Sequence, residues 1–174
     1  MVPVTLAAID SGLFRRVLRR HAAAVVVVTA PGPAGFTATS FTSVSLDPPL
    51  VSFCVSRTGS AWPAVSAAPL VAVHVLTADQ EPVARIFATP GIDRFAAHEP
   101  LGTWHESPDG VPLLDGALAI LICRVENQFE AGDHTIVVAS PIDAAHHDDA
   151  EATPLVYHDG EYVALGQGAS TGLL

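Results

Sequence analysis

Lysine is missing from this 174-residue chain; all eight of its cations are arginine. That excludes a lysine Schiff base and a Walker-type phosphate loop, both of which need an amine. Cysteine is scarce. Cys54 and Cys123 each lie in an apolar run, which predicts two buried thiols and no disulfide framework. Charged residues make up only 15% of the chain and hydrophobic ones 49%, a balance that excludes disorder. No apolar run reaches the roughly 20 residues needed to cross a bilayer. Met1 to Ile9 contains Pro3 and has no basic start, so it does not read as a signal peptide. The expectation is one cytoplasmic domain over residues 1–174 with no membrane association.

What is present has an acidic balance. Eighteen Asp and Glu against eight Arg give a formal charge of −10. Nucleic-acid binding rests on cations that neutralise phosphates, so that class is excluded. An anionic ligand would have to be held by locally placed donors against the overall field. The apolar excess points to surface covered by a second copy, most simply in a homodimer.

Asp10 or Ser11 caps a predicted helix whose apolar face is Leu13, Phe14, Val17 and Leu18. Arg15, Arg16, Arg19 and Arg20 read as its solvated face, with a role near a dinucleotide phosphate as the alternative. Ala22–Ala30 (AAAVVVVTA) is a β-branched run that predicts a strand buried on both faces. A Pro-Gly turn then returns the chain through Phe36–Thr39. Further strands are predicted at Leu50–Val55, Leu70–Leu76, Ala117–Val125 and Thr135–Ala139. Short helices are predicted to start at Trp62 and at Asp79. A last hairpin pairs Pro154–Tyr157 with Tyr162–Leu165 across Asp159-Gly160. Pro90–Gly110 lacks periodicity and reads as a functional cover or a partner contact. Six to eight strands too apolar for a one-sided sheet predict a closed or nearly closed antiparallel barrel with short flanking helices.

The densest chemistry lies in Phe36–Ser60. Its first ten residues carry six hydroxyls: Thr37, Thr39, Ser40, Thr42, Ser43 and Ser45. An Asp47-Pro48-Pro49 corner, a buried strand and the Ser56–Ser60 loop with Arg57 follow. Such a unit can face a flat hydrogen-bonding ring at one end and a phosphate at the other, as flavin mononucleotide requires. Thr39 and Ser40, with nearby amides, would meet the ring's pyrimidine edge, and Phe41 and Phe53 would form apolar wall. Arg57 with Ser60 would clamp the phosphate.

Gly132-Asp133-His134 places a histidine at the first position of a predicted strand, where it can project into a pocket. His74 reads as core or interface. His146-His147-Asp148-Asp149 invites a metal reading, but adjacent residues of an extended chain point apart, so it reads as a solvated acidic loop. His98, Glu99 and His105 lack metal-ligand spacing, and neither cysteine has a plausible base nearby. No metal site is expected.

The order of these pieces resembles the flavin reductase-like family with the FMN-binding split-barrel fold. That family includes reductase components of two-component flavin monooxygenases. The resemblance runs from about Phe14 to Leu165. It is carried by Val25–Ala30, Thr37–Leu50 (TATSFTSVSLDPPL), His74–Leu76 with Gln80, Phe87-Ala88, Asp93-Arg94-Phe95, Pro112–Ala117, Cys123, Gly132-Asp133-His134 and Pro154–Tyr157 with Gly160 and Tyr162. Two positions depart from the pattern: Ala24 stands where a Gly is usual, and His74 where an Asn is usual.

The resemblance implies a mainly β fold with short helices: a split, Greek-key-like barrel of six antiparallel strands. It implies that Thr37, Ala38, Thr39, Ser40 and Phe41 line the isoalloxazine, partly through main chain, with Ser45 also in the cofactor set. Ser56, Arg57 and Ser60 would lie near the ribityl phosphate, and Gln80 would approach the cofactor. His134 would sit where nicotinamide stacks on the flavin, as the catalytic residue. The implied activity is hydride transfer from NADH or NADPH to FMN or FAD, with reduced flavin released to a transient flavin-dependent monooxygenase partner. The alternatives are a flavoenzyme whose tightly bound FMN reduces another acceptor such as a quinone or a ferric chelate, a flavin-binding protein for storage or sensing, and a flavin-free structural subunit.

Overall fold

The computed structural model describes residues 7–95, 103–147 and 152–165. In chain order the elements are α1 (Ser11–Leu18), β1 (Ala23–Ala24), β2 (Val26–Ala30), β3 (Ala34–Ala38), β4 (Thr42–Leu46), β5 (Pro49–Ser56), α2 (Trp62–Ala67) and β6 (Leu70–Val75). A single 3₁₀ turn (Ala78–Gln80) leads into α3 (Glu81–Ala88). Then come β7 (Trp104–Glu106), β8 (Pro112–Leu114), β9 (Ala119–Ala131), β10 (His134–His146), β11 (Leu155–His158) and β12 (Glu161–Ala164).

Seven strands form one antiparallel sheet in the order β3-β2-β6-β9-β10-β5-β4. Its two edge strands, β3 and β4, are consecutive in the chain. Counted as one bent strand they close a ring of six, which reconciles the expected six-stranded barrel with the seven-stranded sheet. The bend at Thr39–Phe41 is fastened by a side chain: the Cys54 amide donates to Ser40 Oγ at 2.8 Å. The barrel is split at that point, and the split opens onto the candidate site.

The four-valine run does what its composition predicts. Val26 and Val28 point into the barrel core with Phe53, Val55, Val71 and Val73. Val25 and Val27 alternate to the other face, where Leu76, Val83, Phe87, Leu114 and Leu155 cover them. Full burial of each such side chain contributes about 1.5–3 kcal/mol. Val25 also bonds β11 and the end of β6: its amide donates to Leu155 O (2.9 Å) and its carbonyl accepts from Leu76 N (3.2 Å). A small sheet β1-β11-β12 is thereby laid against the barrel.

Some elements differ from expectation. The strands predicted at Ala117–Val125 and Thr135–Ala139 are two arms of 13 residues each, joined at Ala131–His134. Register shifts at Val138/Ala139 and Pro141/Asp143 let β10 continue past Pro141, which has no amide to donate. His146 therefore ends a strand and is not part of a loop. Asp148, Asp149, His98 and Glu99 lie outside the described residues. The hairpin at Asp159-Gly160 forms with both residues at positive φ (52° and 93°), the geometry a two-residue turn of type I′ requires. Asp10 caps α1 through its Oδ1, which accepts from Leu13 N at 2.7 Å. Yet Phe14, Val17 and Leu18 remain about half exposed, so the predicted apolar face of α1 is not buried by the other described residues. Among the described residues no helix is long and apolar enough to cross a membrane.

Candidate functional site

A cleft of about 640 Å³ opens at the barrel split, within the size range of small-molecule sites. One wall is the end of β3 and the bend, Phe36 to Ser40; a second is the end of β5 with the Thr58–Ala61 loop. Trp62, Phe87 and Ala88 add apolar surface, and Pro90, Arg94 and His134 complete the lining. Two distant segments, the start of β10 and the stretch after α3, are thus brought to the hydroxyl-rich strand.

Gly35 explains how closely α3 approaches. A Cβ built there would fall 2.7 Å from Phe87 Cε1 and 3.0 Å from Val28 O, so only glycine lets Phe87 sit against β3. Thr37 Oγ1 donates to Ala84 O at 2.6 Å and ties the same helix down. The hydroxyls of Thr37 and Ser40 are therefore spent on holding the walls together, and what they offer the cleft is chiefly backbone. Thr39 lines the cleft without such a bond among the described residues. Ser56 Oγ and Thr58 Oγ1 bond each other at 3.1 Å on the opposite wall.

The cation in the cleft is Arg94. Its Nη1 donates to Ser60 Oγ (3.0 Å) and its Nη2 to Thr89 O (3.0 Å). Its Nε is buried with no hydrogen-bond partner among the described residues, and no carboxylate pairs with it there. A guanidinium has five N–H donors, so besides the buried Nε–H one on each Nη stays uncommitted, on a rigid fork suited to a phosphate.

Arg57 is placed elsewhere. Its Nη1 meets Glu130 Oε2 at 2.9 Å, its Nη2 donates to Gly132 O, and its amide donates to Asp133 O at 3.0 Å. These contacts fasten the β5–α2 loop to the β9–β10 turn. Arg57 does not line the cleft, because a carboxylate and two carbonyls of the hairpin already hold it. Its expected place beside Ser60 is taken by Arg94, from the irregular segment after α3. The signal for Arg94 lay in Asp93-Arg94-Phe95 and in that segment's lack of periodicity.

Four other expected site residues also stand outside the lining. Phe53 is fully buried in the barrel core and Phe41 packs against that core, so neither forms cleft wall. Ser45 lies in β4 opposite Leu50. Gln80 is buried as half of a capping box: its Oε1 accepts from Thr77 N and its Nε2 donates to Asp115 O, both at 3.2 Å. Thr37, Ala38, Thr39, Ser40, Ser56, Ser60 and His134 do line it. Cys54, expected to be buried, is half-buried in the cleft wall. Burial pushes the Cys123 thiol up to about 12, which leaves it inert as a nucleophile.

His134 begins β10 opposite Ser56. Its Nδ1 lies 2.7 Å from Asp133 Oδ1, and this hydrogen bond holds the Asp133 carboxyl below its ordinary value. With Nδ1–H given to the carboxylate, the tautomer is set and Nε2 is left as the ring's other polar atom. The His134 side chain is 44% exposed, so solvent reaches it. Among the described residues no cluster of His, Cys, Asp and Glu could hold a metal ion.

Residues 18–166 match the family described as the flavin reductase like domain. The chain is 41% identical to an NADH:FMN oxidoreductase of Rhodococcus qingshengii, over 91% of this chain and 85% of that protein. The NADH:FAD oxidoreductase SgcE6 of Streptomyces globisporus C-1027 superposes with a TM-score of 0.84 at 35% identity, covering 99% of both chains. Nitrilotriacetate monooxygenase component B from Mycobacterium thermoresistibile does so at 0.86 and 32%, covering 95% of this chain and 92% of that one. A domain match across most of the chain, close identity and the same split barrel together make this protein a member of the flavin reductase like domain family.

Proposed function

We propose that this chain is a flavin reductase that takes a hydride from NADH or NADPH, passes it to FMN or FAD, and supplies the reduced flavin to a separate flavin-dependent monooxygenase. One observation carries the reading: a single cleft holds the β3 backbone, an Arg94–Ser60 cradle with an unsatisfied buried N–H, and His134. That donor set fits a flavin with its phosphate. The relatives named as an NADH:FMN oxidoreductase and a monooxygenase component support the same activity and destination.

Flavin supplies the redox chemistry when bound; the protein supplies binding and orientation. Arg94 and Ser60 would hold the phosphate of a bound flavin. The Thr37–Ser40 backbone would offer hydrogen bonds to its ring, and Phe36, Trp62 and Phe87 would exclude water. His134 would offer Nε2 to the reacting groups, and Asp133 keeps the imidazole in register. Arg57 keeps the turn that carries both. Exposed apolar side chains on β4 and the long arms, such as Leu46 at 91% and Phe129, support a homodimer. Its solution mass would then be twice the 18.0 kDa of one chain.

Steady-state oxidation of NADH and NADPH, with FMN, FAD and riboflavin varied separately, tests the activity. A rate that saturates with added free flavin is expected. Background oxidation at every flavin concentration with both nucleotides refutes the reading.

A further inference from the structure

We infer that Trp104, on the β7–β8 hairpin, is a positioning residue for the flavin phosphate: with Phe87 and Phe95 it forms a knot of three rings that holds the chain at Arg94 and keeps the guanidinium in the cleft. The inference rests on the flavin reading above and deepens it, because the β7–β8 hairpin does not itself line the cleft.

Arg94 belongs to no helix or strand. It follows the end of α3 and Gly91, a residue of positive φ (75°), so no helix or sheet hydrogen bonding fixes its backbone. A long side chain on such a segment loses rotamer freedom when it grips an anion, and affinity falls unless the segment is already held. Ser60 Oγ and Thr89 O restrain the guanidinium itself. The backbone is restrained at the next residue.

Phe95 N donates to Asp93 Oδ1 at 3.1 Å, closing a tight turn around Arg94. The Phe95 ring meets Phe87 edge-on, with centroids 5.2 Å apart and planes at 87°, and meets Trp104 in the same way at 5.1 Å and 72°. Phe87 and Trp104 stack on each other at 5.2 Å and 28°. Each ring thus touches the other two in a geometry that aromatic pairs prefer. Phe87 is fixed from the barrel side, where Gly35 admits it against β3 and Thr37 ties down α3. Trp104 is fixed from the hairpin side. Its partner across the hairpin, Leu114, is fully buried, and Thr29 Oγ1 donates to Pro112 O at 2.7 Å in a buried contact that seats β8 on the barrel. Asp115 N donates to Thr103 O at 2.9 Å, His105 Nδ1 lies 3.0 Å from Asp115 Oδ1, and the indole meets the buried His74 ring at 5.8 Å. Barrel and hairpin therefore grip Phe95 between them, one residue from the cation that faces the phosphate.

The test titrates the intact protein and its variants with FMN and with riboflavin, read by flavin fluorescence. Trp104→Leu and Phe95→Leu keep apolar bulk and remove ring contacts, whereas Trp104→Phe keeps a ring. In both Leu variants FMN affinity should fall roughly three- to tenfold, the scale of a lost ring contact, with riboflavin held within about twofold. Trp104→Phe should bring FMN back to within about twofold of the parent. In an Arg94→Ala background Trp104→Leu should have no further effect on FMN, because a residue that acts through Arg94 has nothing left to position. Equal losses for both ligands would make the knot a general support and overturn the inference. So would unchanged FMN affinity, or an effect that persists in full without Arg94. Should Trp104→Leu fail to fold, Phe95→Leu, alone and with Arg94→Ala, decides in the same way. If Arg94→Ala leaves the ratio of FMN to riboflavin affinity unchanged, the phosphate cradle fails and takes the inference with it; a selective Arg94 effect without a Trp104 effect overturns the inference alone.

Discussion

Removing the Arg94 guanidinium should separate phosphate recognition from ring recognition. Two of its N–H groups are committed to Ser60 Oγ and Thr89 O, and Nε–H is buried without a partner among the described residues. A hydrogen bond to a charged group contributes about 1.5–3 kcal/mol, and partial exposure places this one near the lower end. Arg94→Ala should therefore weaken FMN binding by roughly ten- to thirtyfold. Riboflavin has the same ring and no phosphate, so its affinity should stay within about twofold. Arg94→Lys keeps the charge but loses the fork, and should fall between. Flavin fluorescence titration of both ligands measures the ratio directly, and the FMN effect should shrink at high salt. Arg57→Ala supplies the contrast. It releases the β9–β10 turn and leaves the phosphate cradle intact, so FMN and riboflavin should respond alike. If Arg94→Ala weakens both ligands equally, or Arg57→Ala weakens FMN alone, the cradle has been assigned to the wrong arginine.

His134→Ala should slow flavin reduction by about 10- to 100-fold, the scale of a positioned polar group at a reacting centre, while flavin affinity barely changes; stopped-flow bleaching by NADH reads the first and titration the second, and a parental rate sinks the role. His74 gives a stability test. Its ring is fully buried, Nδ1 lies 3.0 Å from Val27 O, and Nε2 has no hydrogen-bond partner among the described residues. Burial pushes it down from 6.5 to about 4, with His105 pushing the same way and the Val27 carbonyl opposing. Between those values the unfolded chain binds the extra proton, so stability is full above pH 6.5 and is lost as pH falls toward 4. The loss from this group is at most roughly 3 kcal/mol. Urea melts at pH 7 and 4.5 should show that decline in the parent and a shallower one in His74→Asn; equal slopes would remove His74 from the account.

The part of the site that was legible in the sequence was local. Six hydroxyls in ten residues, an apolar strand and a Gly-Asp-His turn could be read without knowing what they faced. Adjacency in sequence puts Arg57 beside Ser60, but adjacency in space does not bring it into the cleft lining. Arg57 spends its donors on Gly132, 75 residues away, while Arg94 reaches Ser60 across 34. Nothing within either loop distinguishes the two cations. Gln80 is held by a local capping box with Thr77, a spacing the sequence itself carries, and its Nε2 donates to Asp115 O, 35 residues away, a contact only the tertiary structure decides. The α1 face reads as an ordinary amphipathic stripe, but no element among the described residues buries it.

By itself the sequence determined the elements whose signals are short-range: valines alternating to two buried faces, a positive-φ turn at Asp159-Gly160, a capped α1 and an acidic chain with localised cations. Only the tertiary structure decided that β3 and β4 meet across a split fastened by Ser40, and which arginine enters that split. The physical reason is range. Strand propensity and turn chemistry act within a few residues, whereas a pocket is made by side chains that meet only after the whole sheet has closed.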